Sequence, residues 1–216
     1  MDYATLKASA ANWLARSDIT DAELSLMVML AEARIYRRLR LAEMETVFFS
    51  PLDADAKAAV PSDYLAFKEV GLYEGAGDTS TLLSFATATR VARLQRTSGE
   101  ELFDAVTANR GGVPSKFARI GQSFVVAPIP NGTYSLGGIY FARPAALSDL
   151  APTNTLMDRN PDLFLFAVTL EAAIFTRHPS IEMYGTRVDG LIDAVQLADE
   201  MERSSGTQVV TMSGVR

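Results

Sequence analysis

Apolar positions recur at helical spacing at both ends of the chain and at alternate positions through its middle. Leu6, Ala10, Trp13 and Leu14 form one stripe of a first helix predicted over Tyr3 to Ala15. Ser17-Asp18-Ile19-Thr20 stops it. Thr20 followed three residues later by Glu23 fits a capping box, in which hydroxyl and carboxylate satisfy each other's free amides. A second helix follows from Asp21 to about Glu43, roughly 34 Å long at 1.5 Å per residue. Leu24, Met27, Val28, Ala31, Ile35 and Leu39 line its inner side, and Glu32, Arg34, Arg37, Arg38 and Arg40 fall largely on other faces.

From Met44 the period shortens to two and β-formers take over. Thr46-Val47-Phe48-Phe49 and Phe67 to Tyr73 are expected strands, separated by a turn at Pro61-Ser62-Asp63, and Leu82 to Phe85 is a further short strand. Thr89 to Gln95 and Gly99 to Thr107 are expected short helices. Lys116 to Ile120, Ser123 to Ala127 and Thr133 to Ala142 then suggest a three-stranded meander, with turns at Gly121-Gln122 and at Asn131-Gly132, where a short hairpin loop would need positive φ. Gly111-Gly112 is expected in a turn, and Gly137-Gly138 at a bulge or close backbone approach.

The segment Pro161 to Phe175 carries one charged side chain, Glu171, after its capping turn. Asn160 as cap and Pro161 at the first helical position open this helix. A helix apolar on nearly every face must be enclosed by protein, and this one is too short to span a bilayer. It is the expected central post of a helical core, with Phe164, Phe166, Trp13 and Glu171 buried. Glu171 would be costly there without a partner, and Arg34 or Arg38 is the expected cation. A last helix runs from Ile181 to about Arg203. The reading is α+β: a helical bundle of about four helices with an inserted antiparallel β region and an extended C-terminal tail. Its boundaries fall at 1–45, 46–145, 146–203 and 204–216.

The chain has no cysteine, which removes disulfides and thiolate chemistry. A net charge of −6 argues against wrapping nucleic acid, since such affinity comes from cations that displace counterions. The N-terminus lacks the basic and apolar blocks of a signal peptide, so a cytoplasmic protein is expected. His178 sits at a helix junction with no Gly-x-Ser-x-Gly serine elsewhere to activate, which suits capping. Asp149 with Asp158, and Asp189 with Asp193, suit solvated faces better than a metal site. Trp13 and the Met27, Met29, Met44 group suit the core. No catalytic residue, cofactor or metal is implied.

Two features invite a partner. Arg34, Arg37, Arg38 and Arg40 make one helix strongly basic in an acidic chain, which suits head-to-tail contacts between identical subunits. Thr207-Gln208-Val209-Val210-Thr211-Met212 is a β-prone string in the tail that could add a strand to a partner's sheet edge.

In order and spacing, several short stretches resemble the head-to-tail adaptor (connector) proteins of short-tailed and related tailed bacteriophages. They are Tyr3-Ala4-Thr5-Leu6 with Trp13-Leu14, Ala31-Glu32-Ala33-Arg34-Ile35, Arg38-Leu39-Arg40, Val60-Pro61-Ser62-Asp63-Tyr64-Leu65, Ile120-Gly121 with Ala127-Pro128, Tyr140-Phe141-Ala142-Arg143, Pro144-Ala145 with Leu147-Ser148, Asn154, Pro161 to Leu165, and Leu170-Glu171-Ala172-Ala173. Gly75 to Val113 matches poorly. The resemblance implies a structural virion protein without catalysis. It implies a ring, usually of twelve copies, between portal and tail or nozzle, with double-stranded DNA passing through the lumen and no membrane partner. It also implies a C-terminal segment that reaches into the portal. A small hydrolase using Glu171 or Asp149 and Asp158, or a monomeric module binding a host factor, are the alternatives the residues leave open.

Overall fold

The computed structural model describes residues 1–75, 88–107 and 111–205. They form two compact units, one of residues 1–44 with the chain from Pro144 onward, the other Glu45–Arg143.

Five α-helices build the described part of the first unit: α1 (Tyr3–Trp13), α2 (Asp21–Arg38), and then α4 (Thr155–Arg159), α5 (Pro161–Phe175) and α6 (Ile181–Ser204); α3 (Gly99–Thr107) belongs to the other unit. Asp2 caps α1 by accepting from the Thr5 amide at 2.7 Å. The Thr20–Glu23 capping box at the head of α2 is present in both directions. The second helix stops at Arg38, earlier than its periodicity suggests, because Leu39 turns to extended backbone before a 3₁₀ turn at Ala42–Met44. Asn160 makes no side-chain cap for α5; its amide donates back to the Leu156 carbonyl. Pro161 alone marks the start, at a position where its missing N–H costs nothing. Helix α5 packs against α1, α2, α4 and α6. Leu163, Phe164, Ala167, Val168, Leu170, Ala172 and Ala173 are buried along it, so it is the post of this unit.

The second unit holds two four-stranded sheets. Strands β1 (Glu45–Pro51), β8 (Tyr134–Ala142), β3 (Tyr64–Glu74) and β4 (Arg90–Arg93) form one, and β2 (Lys57–Ala59), β7 (Ser123–Ala127), β6 (Lys116–Ile120) and β5 (Gln95–Arg96) the other, each in that spatial order. Phe48, Val70, Leu72, Leu136 and Tyr140 from the first sheet share a core with Ala58, Phe117, Phe124 and Val126 from the second. The single residue Leu94 lies in that core between β4 and β5, so one short run serves both sheets. Helix α3 (Gly99–Thr107) sets Leu102 against Ala118 and Ala127 of the second sheet.

A bundle of about four helices is therefore not the overall architecture. The class is α+β, but the described residues hold six α-helices and two sheets of eight strands, and the inserted β region is not wholly antiparallel, since β5 runs parallel to β6. Two local expectations change with it. Thr89 to Gln95 is not helix but holds β4 and the start of β5: Ala92 pairs with Leu72, and tertiary pairing overrides a weak helical pattern. The meander does not form. Strands β6 and β7 make a hairpin through Gly121 (φ +60°), but β8 leaves them and pairs between β1 and β3. Pro128 and Pro130 lack the amide donors that a continued ladder needs. Positive φ among the described glycines falls at Gly75 and Gly121, so Gly132 makes no hairpin turn.

Gly138 shows why β8 sits where it does. It pairs with Phe48 on one side and Val70 on the other, and a Cβ there would stand 2.0 Å from the Glu69 carbonyl oxygen. That carbonyl lies at the bulge between Phe67 and Glu69. The close approach expected of Gly137-Gly138 is thus a strand-to-strand contact open to glycine alone. Leu82 to Phe85 and Thr207 to Met212 lie outside the described residues.

Candidate functional site

Within each unit several of the resemblance stretches meet, and polar contacts hold them there. In the β unit, Asp63 of the turn before β3 accepts the Tyr140 hydroxyl at 2.9 Å, and its carbonyl accepts the Arg143 amide at 2.6 Å. Burial, and then the bond to Asp63, push the Tyr140 hydroxyl well above its ordinary range, so it stays a donor. On the neighbouring strand Glu69 bridges Arg93 at 3.0 Å and Arg90 at 2.9 Å. The hydrogen bond from Arg93, helped by Arg90, holds its carboxyl below the usual carboxylate range.

In the helical unit the polar groups form three layers along α2. The deepest is Glu32, 1% exposed, whose Oε1 accepts both the Tyr36 hydroxyl and the Leu147 amide at 3.2 Å. Asn154 completes the layer. Its Nδ2 donates to the Tyr36 hydroxyl at 3.2 Å and the Ala145 carbonyl at 3.0 Å, while its Oδ1 caps α4 by accepting from Met157 at 2.9 Å. This network ties the loop after Arg143 to the middle of α2, so the Pro144-Ala145, Leu147-Ser148 and Asn154 motifs share one task. Sequence reasoning missed it by placing Glu32 on an outer face. Its position four residues after Val28 and three before Ile35 puts it at the edge of the core face, and that spacing was the available signal.

The second layer is the ion pair from Arg34 Nε to Glu171 Oε1 at 2.7 Å, with the Glu171 side chain 11% exposed. The expected partner is present. The third is Arg38, which forks to Asp189 and, at 2.8 Å, to Asp193 on α6. Two acids expected to be merely solvated thus bind α2 to α6 at the surface. Arg40 donates to the Tyr36 and Leu39 carbonyls, closing the end of α2. Of the four arginines expected to face another subunit, Arg34, Arg38 and Arg40 are occupied within the chain. Arg37 is exposed and has no ion-pair partner among the described residues.

Phe164 is fully buried, and Phe166 is half-buried, edge-on to Trp13 at 5.0 Å and beneath the Arg187 guanidinium at 5.3 Å. Trp13 departs from the buried role expected for it: it is 53% exposed, although the next residue, Leu14, is buried. Met27 and Met44 are in the core, but Met29 is exposed. His178 accepts from the Ser180 amide at 3.2 Å, a turn contact. Asp149 and Asp158 are exposed, and no group of three potential metal ligands occurs among the described residues.

Glu43 is the one strained carboxylate among the described residues. Both its oxygens are buried without a hydrogen bond, and Arg159 reaches only to 3.2 Å in a poorly aligned ion pair. Burial pushes its carboxyl up, against the pull of Arg159. Leu41, Asp162, Leu191 and Asp199 line the shallow recess around it. Asp199 and Glu202 add to the upward push, so the group strains the scaffold.

A family model described as SU10 adaptor protein matches residues 1–211. No curated protein matches the chain.

Proposed function

The chain belongs to the SU10 adaptor protein family, a family of phage structural adaptors, and from that premise we propose that it is the head-to-tail adaptor of a virion. Copies close into a ring of roughly twelve through heterologous contacts. One surface of the ring takes the portal and another the tail or nozzle, and the lumen continues the channel for double-stranded DNA. The protein forms in the host cytoplasm and ends at the head-to-tail junction of the virion. No helix among the described residues is long and apolar enough to cross a membrane.

The observation that carries this reading is the family match over nearly the whole chain. The polar contacts support it. Glu32, Arg34, Tyr36, Asn154, Glu171, Asp63 and Tyr140 all serve to hold one part of a unit to another, as a load-carrying part requires. Glu171, the foremost catalytic candidate, is neutralised by Arg34, and no catalytic role is proposed for it. The net charge of −6 per copy suits a conduit that repels phosphate and lets DNA slide.

Mass measurement on the full chain, alone and mixed with portal protein, tests the proposal. A ring joined to portal is the expected product. A chain that never joins portal in any ratio overturns it. Deleting residues 204–216 then tests the tail as a portal-docking segment: retained portal binding removes that segment from the docking surface.

A further inference from the structure

Two helices of the first unit carry apolar stripes that no described residue of the unit covers. On α2, Leu26, Met29, Leu30 and Ala33 lie opposite the buried face, the two leucines and the methionine each about half exposed, and the stripe ends at Arg37. On α6, Met183, Arg187, Gly190, Ala194, Leu197 and Met201 recur at alternating steps of four and three, the spacing of a seam that packs against one further helix. Met183, Leu197 and Met201 are each more than half exposed.

The stripes differ in relief. The α2 stripe presents bulky side chains. The middle of the α6 stripe is a groove lined by Met183, Thr186, Arg187, Gly190, Leu191 and Ala194. Among the described residues nothing lies within 4 Å of where a Cβ on Gly190 would stand, so their packing does not require glycine there. A glycine inside a helix is destabilising relative to alanine. A helix from outside, approaching closely, supplies the missing reason. The α2 of the same copy cannot fill the groove, because it touches α6 through Asp189 and Asp193, on a different flank.

We propose that the Leu26–Leu30 stripe of α2 in one copy seats on the Gly190–Ala194 groove of α6 in a second copy, the two helices running parallel. Charge sets the direction. With Leu30 over Ala194, the parallel arrangement brings Arg37 to the level of Met201, where Glu200 is exposed and flanks the seam. The antiparallel one brings Arg37 against Arg187. The contact is heterologous, a knob face on a groove face, and so leaves one of each free for the next copy. It rests on the proposed adaptor function only in requiring that copies meet.

The absence of native cysteine makes the test direct. Full chains carrying Leu30→Cys and full chains carrying Ala194→Cys are mixed with portal and oxidised mildly. A linked pair on the order of tenfold more abundant than with either variant alone is expected. Leu30→Cys linking to itself overturns the proposal, as that is a two-fold contact. A ring of normal mass with no mixed link also overturns it and leaves the adaptor function standing. A chain that stays single with portal removes both. In a second measurement Ala194→Trp fills the groove. It is expected to leave the helical signal and melting of the isolated chain unchanged and to abolish the ring; normal assembly by a folded variant counts against the contact.

Discussion

Replacing Arg34 by Met keeps the side chain's apolar length but takes the cation from Glu171. The carboxylate left behind is 11% exposed and loses a 2.7 Å charge-assisted hydrogen bond. Such bonds contribute about 1.5–3 kcal/mol. The Arg34 side chain is 41% exposed, so water compensates for part of the loss and the lower half of that range applies. The expected cost is about 2 kcal/mol, which in a chain of this size lowers Tm by roughly 4–8 °C. Glu171→Gln retains an acceptor for Arg34 and is expected to cost about 1 kcal/mol. The double variant should then be less damaged than the two effects added, with a coupling of about 1 kcal/mol. Thermal melting followed by ellipticity at 222 nm suits the measurement, since that signal comes chiefly from the helical unit. Arg37→Met is the internal control, an exposed arginine of the same helix with no ion-pair partner among the described residues. If Arg34→Met lowers Tm no more than Arg37→Met, the pair does not hold α2 to α5 and the layered account of the helical unit fails.

Gly138→Ala drives a methyl group into the Glu69 carbonyl, and the strand must shift or the bulge open; a loss of about 3 kcal/mol is expected in denaturant unfolding. Gly99→Ala, which meets nothing within 4 Å, is expected to stay within about 0.5 kcal/mol, and equal effects would refute the steric reasoning. Glu43 gives a pH dependence. Its folded carboxyl is raised by burial, so the native state holds a proton that the unfolded chain has already released. Its contribution to stability therefore falls as pH rises from the ordinary carboxylate range through the raised value. Glu43→Gln is expected to raise Tm by about 2 °C at pH 8 and by less at pH 4.5. A larger gain at the acid end would reverse the sign and sink the assignment.

Local signals were legible without a structure. The Thr20–Glu23 box, Pro161 at the head of α5 and the Gly121 turn depend on neighbours a few residues away, and each is present. The one acid in the body of α5, Glu171, could be matched to α2 for a related reason. A carboxylate inside an apolar helix must find a cation, so composition and cost narrowed the partner to Arg34 or Arg38, and the fold chose Arg34. The family resemblance was legible too, because it resides in the order of short motifs.

Tertiary structure alone decided the rest. Period two assigns a strand its faces but not its neighbours, so β8 passing from the hairpin to the other sheet was invisible, as was the placing of β4 and the start of β5 within Thr89 to Gln95. A helical wheel cannot tell a face covered by another helix from one left open, so Trp13 and Met29 seemed buried and are not. Nor can it locate a loop some 115 residues away whose amide seeks an acceptor, which is how Glu32 came to be the deepest charge of its unit. Hydrophobic pattern is a property of one segment, whereas burial and polar pairing belong to two, and the second segment is chosen only when the chain closes on itself.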